Sequence, residues 1–559
     1  MRRNLLRTTL AIALLIALLY PVSRILSAGQ GDLSVNDADH TVVPMLELLA
    51  QSPVYGAGTE VEPLENIENI WAIEDTRRQA EQPLVTGMRN GGSELGYDEE
   101  SQTFFCTLGN DAQDMQWPQL QLFAQGDESL RVCWVDDYAY DEPQEALSRG
   151  YRYELMAYTQ TEYAYFGIVF TGLPIATIHV PEGVMVNNEY VPARVSLSAY
   201  DEAPIVETAM VHDRGLHNDI GKPGYRMEFH TISYNGRDKK NPISLMEMEP
   251  DTDWVLLSNN SDELTVTNYL AFDMWKRWKG EDALMALDCC FVEVFFQNEY
   301  MGVYQLIQTP DGAREIAHAG GDVQRDCLIK LTFDIGNKQV LNAMDTCGFI
   351  GECHYEASGN EKRALDLFEN FVLLNRDVEP LDDEAFVRLA QKCVDVDDLI
   401  SYYLFINACG LVRDNTHNNL FVWSAWDGER YRYQFGVWDM DWGLWLDDYL
   451  EDGTPASYLE TSFTLATRLL DLNALGSREK LWALWKEKRD TILTDEALED
   501  WILPVQDELQ RSGAYLRESE KWLGGAQYLN LETMLMFQKA QVAAVERMMQ
   551  ERWPLEVQQ

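Results

Sequence analysis

Residues 411–445 read LVRDNTHNNLFVWSAWDGERYRYQFGVWDMDWGLW. Two aromatic-rich runs, Leu420–Trp426 and Tyr431–Val437, flank Asp427-Gly428. An Asp-Gly pair between apolar runs is a strong hairpin signal, because Gly supplies the positive φ that a tight turn requires. Polar residues crowd the open end of this hairpin: Asp414 and Asn419 ahead of it, Asp439 and Asp441 behind it. Side chains two apart on a strand share a face, so Asp439 and Asp441 are expected to point together. Two such carboxylates repel one another unless a cation intervenes. Phosphoryl transfer needs one carboxylate at the attacking hydroxyl and further oxygen ligands that hold a metal against the phosphates. Magnesium prefers such hard oxygen donors. The four residues read together as a metal-dependent active site; read singly, each is a turn or capping residue.

Outward from this stretch the text divides. Ahead of it, Val191–Ser198, Tyr225–Phe229, Asp253–Leu257 and Cys327–Phe333 read as strands, and Phe291–Ile307 as a hairpin turning at Gln297-Asn298-Glu299. Val266–Trp278 has helical periodicity. After Gly351 helices dominate: Arg363–Leu374, Glu384–Cys393, Leu399–Ala408 behind the acids Asp395, Asp397 and Asp398, and a series from Ser477 to Arg552. Acids ahead of a helix suit the positive end of its dipole. The expected class is α+β, with the bilobal order of protein-kinase-like folds: a β-rich lobe, then a helical lobe, over residues 186–559. Residues 86–185 alternate short apolar runs with Gly, Asp and Asn clusters, which predicts a separate all-β, sandwich-like domain. Residues 29–85 are acidic and turn-rich and read as a linker carrying a short helix near 66–78.

The first 28 residues stand apart. Arg2, Arg3 and Arg7 precede a nearly uncharged run from Thr8 to Val22. A short apolar run behind positive charges reads as a secretory signal peptide, or, left uncut, as an N-terminal membrane anchor. The folded part is therefore expected outside the cytoplasm, secreted or at the cell surface. The 559 residues carry 92 acids against 44 bases, a formal charge of −48. Such a surface repels nucleic-acid phosphates, which argues against nucleic-acid binding and favours cations and basic proteins as partners. Nine cysteines are too sparse for a disulfide scaffold. Cys347 and Cys353 are close enough in sequence to pair, and with His354 they form a weak three-ligand metal pattern that lacks the fourth ligand of a structural zinc site.

The ordered motifs resemble the CotH (spore coat protein H) kinase-like family. Asp414 to Asn419, the aromatic strand, and Trp438-Asp439-Met440-Asp441 are similar to its D-x₄-N and W-D-x-D elements. Arg214-Gly215 and Lys222-Pro223-Gly224-Tyr225-Arg226 resemble its Arg-Gly loop and following strand. Asp253–Leu257 followed by Asn268, and Asn298–Tyr304, fit two further landmarks. The resemblance covers roughly residues 190–550. It implies an atypical protein kinase that uses ATP with Mg²⁺ or Mn²⁺ to phosphorylate hydroxyls of exported proteins. By the same resemblance Asp414 is the catalytic carboxylate. Asn419 and Asp439 are metal ligands, Asp441 is a further ligand or adjoins the metal, and Lys222, Arg226 and Lys330 are candidates to neutralise phosphate charge. Three features depart from the family pattern: Leu216-His217-Asn218-Asp219 replaces a Ser-rich loop, Gln308 stands where Glu is common, and Gly443 follows Asp441 early. The alternatives are a kinase-like fold used for surface binding or assembly, and transfer of another group such as AMP.

Overall fold

The computed structural model describes residues 59–60, 65–66 and 70–555, leaving out 114–119, 125–129, 136–141, 215–220, 233–237, 259–264, 333–339, 342–349, 357–360, 377–378, 412–415, 417, 441–448 and 451–452. Residues 1–28, read above as a signal peptide or anchor, lie outside these residues, as do Asp414, Asp441 and Cys347. The mixed α+β class is as expected, with helices and several sheets along the chain. Among the described residues no helix is long and apolar enough to cross a membrane.

The N-terminal module holds two sheets. One joins Thr59–Glu60, Leu120–Ala124, Gly87–Asn90 and Ser93–Glu94; the other is built on Arg131–Trp134, Arg152–Tyr158, Glu162–Thr171, Thr103–Thr107 and Gly96–Asp98. Apolar residues of both, among them Met88, Leu122, Phe104, Leu155 and Ile168, form one shared core. Two sequence expectations shift here. The stretch read as linker lends Thr59–Glu60, Glu65–Asn66 and Arg78–Gln79 to these sheets and holds the helix Ile70–Thr76. The module is also not purely β, because Pro143–Ser148 is helical.

The strand Ile175–His179, expected in the module, belongs to the next sheet, where it runs parallel to Cys289–Phe296. That sheet closes on itself. Ile175–His179 pairs Val191–Ser198, which pairs Ile205–Arg214, which pairs Gly224–Ile232; the ring returns through Asp253–Leu257, Glu299–Gln308 and Cys289–Phe296. Closure leaves no exposed edge in this ring. Ile178, Val195, Val211, Met227, Trp254 and Leu306 fill its interior. The tight turn between Cys289–Phe296 and Glu299–Gln308 uses Gln297 (φ 50°) and Asn298 (φ 63°), the left-handed pair such two-residue loops need.

A second sheet orders Val340–Leu341, Gly351–Glu356, Cys327–Leu331, Leu420–Trp426 and Tyr431–Val437, all antiparallel. The sequence-predicted hairpin is its edge. Cys353 and His354 lie on a strand, with the His354 ring against Phe421 at 5.0 Å. Among the described residues no three His, Cys, Asp or Glu are grouped to hold a metal. Helices Thr267–Lys279, Glu361–Asn375, Asp383–Cys393 and Val396–Ala408, with the C-terminal helices from Ser477 to Arg552, enclose the largest core, which includes Trp275, Phe371, Tyr402, Trp485 and Trp501. Asp395 caps its helix by accepting from the Asp397 and Asp398 amides.

Candidate functional site

The hairpin's register brings Asn419 and Asp439 together. Leu420 pairs with Val437, so the residues just beyond each strand meet at its open end. Asn419 Nδ2 donates to Asp439 Oδ2 at 3.2 Å. Both residues sit in left-handed backbone, at φ 54° and 51°. Asn and Asp tolerate that region better than other L-residues, and there it turns both short polar side chains out of the strand alternation. Asn419 is buried, whereas Asp439 is half-buried.

Three neighbours fix this end. Trp438 is buried and its ring packs 5.9 Å from that of Phe272. The Met440 amide donates to Asn268 Oδ1 at 2.7 Å, so Asn268, at the start of helix Thr267–Lys279, clamps the backbone beside Asp439. Arg214, the last residue of its barrel strand, lies over the Trp438 ring at 5.4 Å. Burial holds the Arg214 guanidinium below its ordinary pKa, and the Asp439 carboxylate opposes that shift. Arg214 Nη1 is buried without a hydrogen-bond partner among the described residues.

The other expected cations are placed differently. Lys222 is fully buried. Its Nζ donates to Val303 O at 2.6 Å and to Glu518 Oε1 at 2.7 Å, and lies 4.5 Å from the Tyr304 ring centre. Burial pushes this ammonium below its ordinary pKa and the Glu518 carboxyl above its own. Glu518 Oε2 also accepts from the Val303 amide at 2.7 Å. It fits only because position 302 is Gly: a Cβ there would stand 2.0 Å from Glu518 Oε2. Gln308, at the position where the family commonly has Glu, donates instead to Glu249 O.

Arg226 lies on the outer side of the barrel and pairs with Asp253 at 2.6 Å, close enough to Arg214 to bear on its charge. Lys330 sits on the Cys327–Leu331 strand directly opposite Phe421, two residues along from Asn419. Asp439 and Asn419 thus come together with Arg214 beside them, and Lys222 is withdrawn. Asp414 and Asp441 lie outside the described residues.

A carboxylate and an amide side by side, one of them half open to solvent, are the hard oxygen donors that suit Mg²⁺ or Mn²⁺. Sequence reasoning quoted Arg214 and Asn268 as landmarks without giving them a place in the site. Glu518 is not marked in the sequence, since one of two acids on a short charged helix carries no local sign of a buried role.

A family model described as "CotH kinase protein" matches residues 216–540, more than half of the chain. No curated protein matches the chain.

Proposed function

Since the chain belongs to the CotH kinase family, we propose that it is an atypical, exported protein kinase that transfers phosphate from ATP to protein hydroxyls. The observation that carries this reading is the Asn419–Asp439 contact, held at the open end of a hairpin with Arg214 alongside. In the proposed two-lobed arrangement, the closed barrel forms one wall of the site and the helix-backed second sheet the other. Asp439 and Asn419 would hold the divalent ion, with Asp441 expected to join them. The ion, when bound, neutralises developing phosphate charge. Asp414 accepts the proton of the attacking hydroxyl. Arg214 faces the phosphates, with Arg226 and Lys330 adding positive potential from the flanks. Lys222 does not reach them; it anchors the helix Ala514–Trp522 through Glu518. The acidic surface favours a basic acceptor protein. Export rests on residues 1–28.

Incubation of the purified protein with ATP labelled at the γ or α position, Mg²⁺ or Mn²⁺, and a basic acceptor tests the reading. Transfer of γ-label is expected, and it is lost in both Asp439→Ala and Asp414→Ala. Nucleotide with metal should raise the melting temperature; Asp439→Ala removes that shift and Asp414→Ala keeps it. Transfer of α-label instead identifies AMP transfer. Absence of both labels and of any melting shift sinks the enzyme reading. The withdrawal of Lys222 then favours the second reading, a surface binding or assembly protein on a kinase-like fold.

A further inference from the structure

We propose that a second ligand site, built for a phosphomonoester, lies at the turn end of the same hairpin. A cleft of about 450 Å³ opens there between helix Glu361–Asn375, helix Asp383–Cys393 and the strands of the hairpin. Among the described residues its walls carry Lys362, Arg363, Lys392 and Arg430 against one carboxylate, Asp366. On a chain with a formal charge of −48, four cations converging on one cavity run against the composition.

The cations divide into a fixed one and free ones. Arg363 lies 3.7 Å over the Tyr431 ring and donates to Arg325 O at 2.6 Å, so its guanidinium is held in place before any ligand arrives. Lys362 and Lys392 are exposed and make no ion pair among the described residues. Among the described residues Arg430 pairs with Asp427 alone, at 3.9 Å, and that carboxylate is already held by Arg432 at 3.1 Å. The floor is neutral and polar: Tyr433 is buried, and its hydroxyl accepts from Asn370 Nδ2 at 3.1 Å.

A carboxylate ligand would occupy one of these cations. A phosphomonoester brings nearly two charges and three acceptor oxygens, enough for a guanidinium and two ammonium groups together. The volume exceeds a bare phosphate and falls in the range of small-molecule sites, so the phosphate should carry an organic body, with Tyr431 and the lysine stems as walls. The strand leading from Tyr433 to Asp439 is extended at ~3.3 Å per residue, which sets this cleft roughly 20 Å from the candidate catalytic pair. The two sites are therefore separable, and the proposal stands whether or not the chain is an active kinase.

The source of the phosphomonoester is either a phosphorylated protein side chain or a free small molecule. Calorimetric titration of the full-length protein at low salt compares O-phosphoserine, a phosphoserine peptide, its unphosphorylated twin, inorganic phosphate and acetate. Phosphorylated probes are expected to bind one to one, and the unphosphorylated peptide and acetate not at all. A peptide that binds more tightly than free phosphoserine marks the protein source; equal binding marks the small molecule. Lys362→Ala/Lys392→Ala should weaken binding by roughly tenfold or more, and Arg430→Gln should weaken it independently. Asp439→Ala should leave it unchanged. About 0.3 M NaCl should weaken it further, as screening of exposed charges demands. All three lysine and arginine side chains are exposed, so these variants should melt with wild type. Silence of every phosphorylated probe, equal binding of acetate, or full affinity in the cation variants overturns the proposal.

Discussion

Lys222 and Glu518 show how much of a site one residue can conceal. Their side chains are 0% and 2% exposed, so each depends on the other for its charge. Breaking such a pair from one side costs about 3–5 kcal/mol, because the remaining charge stays buried. Lys222→Met should therefore lower stability by that order in urea unfolding, and Lys222→Met/Glu518→Leu should recover much of the loss. His179 offers a pH readout. Burial first, then the nearby Arg194, lowers its pKa from 6.5 to about 4. Between these values the unfolded chain binds the proton and the folded chain does not, so stability falls as pH drops from 6.5 towards 4, by on the order of 3 kcal/mol. His179→Gln should flatten that limb of the stability profile. Asn419 and Asp439 were legible because the hairpin register that joins them is local. The true neighbour of Lys222 was not, because it arrives 296 residues later.

Elements obey the same division between local and distant. Asp427-Gly428 predicts the hairpin, and Leu420–Trp426 and Tyr431–Val437 have the expected bounds. Gly428 holds φ at 100°, so Gly428→Val should cost roughly 1–2 kcal/mol and loosen the register that sets Asn419 against Asp439. Its melting temperature should fall, and any metal–nucleotide shift should shrink with it. Residues 175–179 fell inside the stretch 86–185 expected to form the N-terminal module, but their strand belongs to the barrel. Alternation reports a strand's faces, not its partner, and its parallel partner begins over a hundred residues on. Barrel closure escaped for the same reason, since it rests on the Ile205–Arg214 and Gly224–Ile232 pairing completing a ring. The helix Ala514–Trp522 begins after Gly513, where φ is 69° and a Cβ would stand 2.0 Å from Leu147 O of the N-terminal module. Gly513→Ala should destabilise by about 1–3 kcal/mol through that overlap, measured as a lowered urea midpoint.

At the scale of the molecule, the N-terminal module is fastened to the barrel and to the C-terminal helices by chemistry that a linker-joined domain would lack. Phe105 stacks on Tyr300 at 5.2 Å and Asp98 accepts from the Tyr300 amide at 3.1 Å. Arg511 pairs with Asp111 at 2.6 Å. A chain beginning near residue 172 would expose Phe295, Tyr300 and the buried Glu293–Arg517 pair. Such a truncation should aggregate or melt well below the full chain, and limited proteolysis should not release a stable core from 186 onward. The formal charge of −48 sets the second expectation at this scale: raising NaCl from low salt to about 0.2 M should raise the melting temperature, as screening relieves self-repulsion. The ion pair between Lys222 and Glu518 also fixes a timetable. A ribosome delivers Lys222 296 residues before Glu518. Until Glu518 emerges the barrel's buried ammonium has no counter-charge, so the nascent chain should stay protease-sensitive and open to chaperones up to that point.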